Sequence, residues 1–333
     1  MRSARLRCWR ALVALALLPV VLAGCATRGP LGPRAPRETG QLVLWEVQSA
    51  ANPRGRAFLL GSVHAASPDF TLDPAIDRAF DAADALVIET DITSQSADAF
   101  GFVQRTIQMA TLPEGQTLDQ VLPKPTYDRL GDFLRQRGQP LELYRRFEPW
   151  LLMTMVTSYI FAEAGLPPEG GVDLRLAKRA EGKKPILTLE TPEFQLSLFD
   201  SLPIDVQARM LGELLDHEKE TRAQTTRLFD AWQRGDLDVI EQETVGPSRE
   251  DPRLRPFYDR VFVARNQSMA QRIDALLRES RTYLVVVGAG HVVGEQGIPA
   301  LLEASGHRLL RVPKTPAAVA PGAPAPAPPP AAR

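Results

Sequence analysis

Residues 41–312 predict an α/β fold, a mixed sheet with flanking helices and a large helical insertion. Short β-rich runs alternate with stretches of helical period, a turn cluster joins the first two runs, and two long stretches read as mainly helical. The first runs, residues 42–47 and 57–60, are separated by Asn52-Pro53-Arg54-Gly55, a composition that predicts a tight antiparallel hairpin. Residues 85–88 form the third run. They follow a predicted helix over 74–83, where Pro74 takes the first helical position after Asp73. The fourth run, 185–189, follows a helix around 173–181, and runs at 283–287 and 308–312 complete the set. Residues 94–165 and 206–277 are mainly helical by periodicity. Within them, residues 150–161 are apolar almost throughout, but about three turns cannot cross a bilayer, so a buried core helix is expected. No Pro/Gly/Ser-rich linker divides residues 41–312, which points to a single domain.

The chain has 333 residues, 44% hydrophobic and 24% charged, which excludes disorder for its bulk. With 39 basic against 40 acidic residues there is no basic field to gather nucleic acid, and none is expected as a partner. Residues 1–24 read as an export signal: Arg2, Arg5, Arg7 and Arg10 precede an apolar run over 11–23, and Leu22-Ala23-Gly24-Cys25 follows. That ending resembles the lipobox of bacterial lipoproteins. It predicts a mature chain that starts at a lipidated, palmitate-bearing Cys25 and is held to a bilayer through it. Ala26, rather than Asp, then points to the outer membrane of a Gram-negative bacterium, with the protein facing the periplasm. Residues 26–40 read as a tether, and residues 313–333, nearly all Pro and Ala, as an extended tail. The only cysteines are Cys8 and Cys25, so the folded part has no disulfide and no thiol chemistry. Any metal must be held by imidazole, carboxylate or water.

Four apolar runs end in a group able to do chemistry. Phe58-Leu59-Leu60 leads into Gly61-Ser62-Val63-His64, residues 86–88 into Glu89, residues 186–189 into Glu190, and residues 284–287 into Gly288-Ala289-Gly290-His291. Open α/β sheets bind ligands at the carboxyl ends of their strands. If these strands are neighbours, two imidazoles and two carboxylates meet on one edge. Such a set suits Zn²⁺, Mn²⁺ or Co²⁺, and an open coordination position would hold a water able to attack a carbonyl near neutral pH. Taken singly, each histidine is more often structural, and each glutamate more often a helix cap or an arginine partner. His217, in Asp216-His217-Glu218-Lys219-Glu220-Thr221, lacks the second histidine of a zincin motif and reads as a solvated helix face. His307 opens the last strand and is expected only to pack. No Gly-x-Ser-x-Gly elbow, phosphate loop or dinucleotide fingerprint is present, which removes the serine hydrolase, NTPase and Rossmann readings.

Several of these stretches together resemble the TraB/GumN family. They are Leu44-Trp45-Glu46-Val47, the run from Phe58 to His64, Ala83-Asp84-Ala85-Leu86-Val87-Ile88-Glu89, Gly171-Val172-Asp173, Lys183-Lys184-Pro185, Leu189-Glu190-Thr191, Arg265-Asn266, and Val287-Gly288-Ala289-Gly290-His291 with Gly294 and Gly297. The resemblance implies a fold shared with the Tiki metalloproteases and, more distantly, with erythromycin-esterase-like and ChaN-like proteins. In Tiki proteins the paired Gly-x-x-His motifs and a glutamate are tied to Mn²⁺- or Co²⁺-dependent peptide hydrolysis. By position this implies His64 and His291 as metal ligands and Glu89 as a third ligand or the base. Glu190 would orient them, and Arg265 or Asn266 would polarise the substrate carbonyl. Ser62 stands where the family usually has Thr. The expected protein is a membrane-anchored metal-dependent hydrolase acting on peptides. The competing class is a non-catalytic binder of a peptide, polysaccharide or metal chelate, and a third is a scaffold acting through the Pro-rich tail.

Overall fold

A computed structural model describes residues 34–90, 99–246 and 255–316. The export signal, Cys25, the start of the tether and the tail beyond residue 316 lie outside the described residues. Strand β1 (Gln41–Gln48) and strand β2 (Arg56–Ser62) form the expected antiparallel hairpin, with Val47 opposite Ala57. The Gly55 N–H donates to the Asn52 carbonyl, and a Cβ at Gly55 would fall 1.9 Å from the Leu277 carbonyl oxygen. Only glycine fits there.

Strands β3 (Ala85–Ile88), β4 (Ile186–Thr188), β5 (Thr282–Gly288) and β6 (Arg308–Pro313) complete one six-stranded sheet in the order β4-β3-β5-β2-β1-β6. β4, β3, β5 and β2 run parallel, whereas β1 is antiparallel to both of its neighbours. β3 is buried at every position and β5 at all but its first, as the central strands of a sheet covered on both faces must be. Edge strand β4 leaves Leu187 and Thr188 exposed.

The helices follow from capping and burial. Helix α1 (Pro74–Ala82) starts where Asp73 accepts from the Ala75 N–H, and it buries Ile76, Ala79 and Phe80. Helices α2 (Lys124–Gln136), α3 (Pro149–Glu163), α4 (Val172–Ala180), α5 (Pro192–Asp200), α6 (Ile204–Asp216), α7 (Glu218–Arg234) and α8 (Ala264–Leu277) follow in order. Helix α3 is the apolar segment noted in the sequence. It is buried on all sides at the centre of a second hydrophobic cluster, where Trp150, Leu152 and Val156 meet Leu130 and Leu134 of α2 and Leu211 of α6. Its interior hydroxyls, Thr154, Thr157 and Ser158, donate to the carbonyls of Leu151, Met153 and Thr154, so their burial leaves no donor unpaired. Tyr258 packs against both this cluster and the core of the sheet. Among the described residues no helix is long and apolar enough to cross a membrane.

Two histidine expectations are corrected. His217 lies on no solvated helix face; it is half-buried at the junction where α6 ends and α7 begins. His307 does more than pack: its Nε2 lies 2.9 Å from Asp274 Oδ1, and its Nδ1 accepts the Ala50 N–H at 3.2 Å.

Candidate active site

The parallel strands deliver the reactive groups to one edge. β2 ends two residues before His64, β3 immediately before Glu89, β4 two residues before Glu190 and β5 three before His291. Since these four strands are consecutive neighbours pointing the same way, the groups emerge together. Gly288 marks the centre. Its N–H donates to Glu89 Oε1 at 2.5 Å, and that oxygen is 3.8 Å from His291 Nε2. A Cβ placed on Gly288 would lie 2.9 Å from His64 Nε2, 3.3 Å from Glu89 Oε1 and 3.6 Å from His291 Cδ2. The absence of a side chain at this position is what lets the three side chains approach one another.

Each imidazole is held from behind. His64 Nδ1 lies 2.7 Å from Oδ2 of Asp173, which the first turn of α4 presents to it after the Val172 N–H bonds the Val63 carbonyl. His291 Nδ1 lies 2.5 Å from Asn266 Oδ1, and the Asn266 amide nitrogen donates to the Gln296 carbonyl at 2.7 Å. That second bond sets which way the Asn266 amide faces. It makes Oδ1 the acceptor, so His291 carries its proton on Nδ1 and turns a bare Nε2 lone pair inward. Burial, reinforced by the Arg265 charge, pushes His291 down to about 3 and keeps it neutral. For His64 burial acts in the same direction, but the Asp173 carboxylate outweighs it and raises the affinity for a proton. Burial favours a protonated Glu89, yet His291, which is protonated only in the acid range where Glu89 itself titrates, and the charges of Arg265 and His64 hold its carboxyl down to about 2.

Arg265 binds the two carboxylates together. Its Nη2 lies 2.8 Å from Glu89 Oε2 and 2.7 Å from Glu190 Oε2, and its Nε donates to Glu190 Oε1 at 2.9 Å. Gln195, on α5, donates to Glu89 and Glu190 at 3.2 and 3.0 Å. All four side chains are buried. Arg265 and Asn266 open α8 directly after a widened π turn over Asp259–Val263, and Phe262 on that turn packs against the His291 ring at 5.3 Å between centroids.

The structure therefore brings together His64, Glu89, Glu190, Arg265, Asn266 and His291, all named from the sequence. Two of them sit differently from the sequence expectation. Arg265 or Asn266 was expected to polarise the substrate carbonyl, but the Arg265 guanidinium is engaged by two carboxylates and the Val261 carbonyl, and the Asn266 amide by His291 and Gln296. Three further residues complete the site. Asp173 stands in the Gly171-Val172-Asp173 pattern, and its position at a helix start is its only sequence signal; nothing local marks Gln195 or Phe262.

Among the described residues no group of three His, Cys, Asp or Glu side chains stands gathered as a metal-binding set. The donor kinds nonetheless fit a divalent ion: two imidazoles anchored through Nδ1 and one carboxylate oxygen border a position without a side chain.

The pattern that defines the TraB/PrgY/gumN family matches residues 43–311. Over 269 residues the chain is 24% identical to the uncharacterized protein YbaP of Escherichia coli (strain K12), covering 79% of this chain and 94% of that protein. It is 26% identical over 283 residues to metalloprotease TIKI1 of Danio rerio and 25% identical over 338 residues to metalloprotease TIKI2 of Xenopus tropicalis. Those matches cover 71% and 84% of this chain but only 56% and 64% of the TIKI proteins. No solved structure matches. The family match runs from β1 to β6 and includes every residue of the site, and on that basis the chain belongs to the TraB/PrgY/gumN family.

Proposed function

We propose that this protein is a metal-dependent hydrolase of peptide bonds, tethered through a lipidated Cys25 on the periplasmic side of a Gram-negative outer membrane. The observation that carries the hydrolase reading is the grouping of His64 Nε2, Glu89 Oε1 and the His291 ring around Gly288, with both imidazoles held through Nδ1. His64, His291 and Glu89 would hold the ion. When bound, Mn²⁺, Co²⁺ or Zn²⁺ supplies the Lewis acidity that makes a water nucleophilic near neutral pH. Glu89 Oε1, 3.8 Å from His291 Nε2 and bordering the same side-chain-free position as His64 Nε2, serves as the third ligand. Arg265 keeps Glu89 ionised and fixed, Glu190 holds the Arg265 guanidinium in place, Asn266 fixes the His291 tautomer, and Asp173 fixes the His64 ring. The peptide substrate is supported by the two distant relatives named as metalloproteases.

A second reading, capture of a peptide, polysaccharide or metal chelate without turnover, is favoured by one observation. Arg265 already engages both carboxylates, so that three protein donors are not preassembled among the described residues. Purification without chelators, elemental analysis and a peptide-library assay separate the readings. The hydrolase predicts bound metal and cleavage that stops with chelator and resumes with Mn²⁺ or Co²⁺. Metal without cleavage supports the binder, and a metal-free wild type that no added ion activates overturns the hydrolase. The anchor is supported by the arginine-rich start, the apolar run over 11–23 and the Leu-Ala-Gly-Cys ending. Cys25→Ala should abolish palmitate incorporation and release the protein from the membrane pellet; retention there overturns the anchor.

A further inference from the structure

Two hydroxyls at the rim of the site have no partner among the described residues. Ser62 Oγ and Thr90 Oγ1 belong to residues that are each 1% exposed. Burying a hydroxyl without a hydrogen bond costs stability, so each needs a reason to be there. The sheet supplies their placement. Ser62 is the direct partner of Gly288 across the β2–β5 ladder, so its side chain leaves the sheet on the face where a Gly288 Cβ would meet His64, Glu89 and His291. Neighbouring strands are about 4.8 Å apart, which sets the Ser62 Cβ roughly that far from the empty position on Gly288. On the other side β3 ends at Ile88, the partner of Val286, and Thr90 follows directly after Glu89, whose Oε1 accepts the Gly288 N–H. Ser62 thus flanks the side-chain-free position, and Thr90 follows the glutamate that borders it.

The site also lacks something these hydroxyls can give. Hydrolysis of an amide needs hydrogen-bond donors for the oxygen that gains negative charge, and the side chains expected to serve, Arg265 and Asn266, are engaged elsewhere. The buried Asp173 Oδ1, also without a partner, only accepts. We propose that Ser62 and Thr90, the two buried hydroxyls beside Gly288 and Glu89 without a partner among the described residues, are the donors that receive the substrate carbonyl oxygen. This rests on the hydrolase reading above. As the water oxygen bonds to the carbonyl carbon, the π pair moves onto the carbonyl oxygen, which faces the two O–H groups. The pair then returns, the C–N bond breaks with its electrons on nitrogen, and both protons of the water end on the departing nitrogen, leaving a carboxylate and an ammonium.

The experiment compares Ser62→Ala and Thr90→Val with wild type, alongside Ser62→Thr and Thr90→Ser, which keep the hydroxyl. The expected result is a fall in kcat of about 10²–10³-fold for each hydroxyl removed, with KM near wild type and activity restored in the hydroxyl-keeping variants. Metal content stays at wild-type stoichiometry, and the melting temperature, read without turnover, stays level or rises because an unpaired buried group has been removed. A lowered melting temperature with wild-type kcat shows structural hydroxyls and overturns the proposal. An active wild type with unaffected variants overturns it alone, whereas a wild type inert with every added metal overturns the hydrolase reading beneath it.

Discussion

Asn266 Oδ1 lies 2.5 Å from His291 Nδ1 while the Asn266 amide nitrogen is held at 2.7 Å by the Gln296 carbonyl. The pair works as a clamp. Rotating the amide would break both bonds, so His291 is locked in one tautomer with Nε2 directed at the site. Asn266→Ala should weaken Mn²⁺ or Co²⁺ binding by about 10–100-fold while leaving the far-ultraviolet dichroism unchanged. Metal titration followed by calorimetry reads this directly, and wild-type affinity in the variant would remove the clamp from the account.

Gly288→Ala is a sharper test of the same site. The backbone there has φ −58°, which alanine adopts without strain, so the substitution adds only a methyl group. That methyl would lie 2.9 Å from His64 Nε2 and 3.3 Å from Glu89 Oε1, inside the space an ion and a water need. The variant should fold, lose stoichiometric metal and lose turnover. A variant that still holds one ion per chain would place the metal elsewhere.

The Arg265 guanidinium is the counter-charge for two buried carboxylates, 2.8 and 2.7 Å away. Arg265→Met leaves them facing each other unpaired and should destabilise the protein by about 3–5 kcal/mol in urea titrations. Adding Glu190→Gln to that variant removes one of the stranded charges and should recover part of the loss. If the double variant is no more stable than the single, charge pairing is not the cause.

The stability of the metal-free protein should fall toward acid. His291 binds a proton only near pH 3 when folded against an ordinary value of 6.5, so its contribution is complete above about 6.5 and is lost as pH drops through that window. Glu89, at about 2 against 4.5, adds a further loss below about 4.5. His64 has the opposite sign: its raised value adds stability below about 6.5 that disappears as pH rises through its folded value. Urea midpoints measured from pH 8 to 3 in chelator should decline, and His291→Gln should flatten the upper part of that decline. A profile unchanged by the substitution would assign the acid limb to other groups.

Much of this arrangement was readable because two kinds of local signal agreed. Short β-rich runs announced the strands, and the polar residue just past each run announced a strand end, so His64, Glu89, Glu190 and His291 stood out before their neighbours were known. Their convergence depended on strand order, which no local pattern encodes; it emerges when β5 slots between β3 and β2. The roles of Arg265 and Asn266 were obscured for a different reason. The resemblance marks the two positions, but the partners that engage them, Glu89, Glu190, His291 and Gln296, come from other elements of the fold. Gln195 acts from the middle of a short helix whose sequence looks like any amphipathic turn, and Asp173 becomes meaningful only once α4 is docked behind His64.

The strand order has a consequence for how the molecule matures. The strand leading to His64 is zipped directly to the strand leading to His291, though the two lie near opposite ends of the described chain, with nearly the whole helical layer strung between them. Closing so long a loop is a late and slow step, since the entropy must be surrendered before the contact rewards it. A nascent or truncated polypeptide therefore owns at most one of the two imidazoles in place. Any chemistry that needs both rings is withheld until synthesis has finished and the last strands have docked.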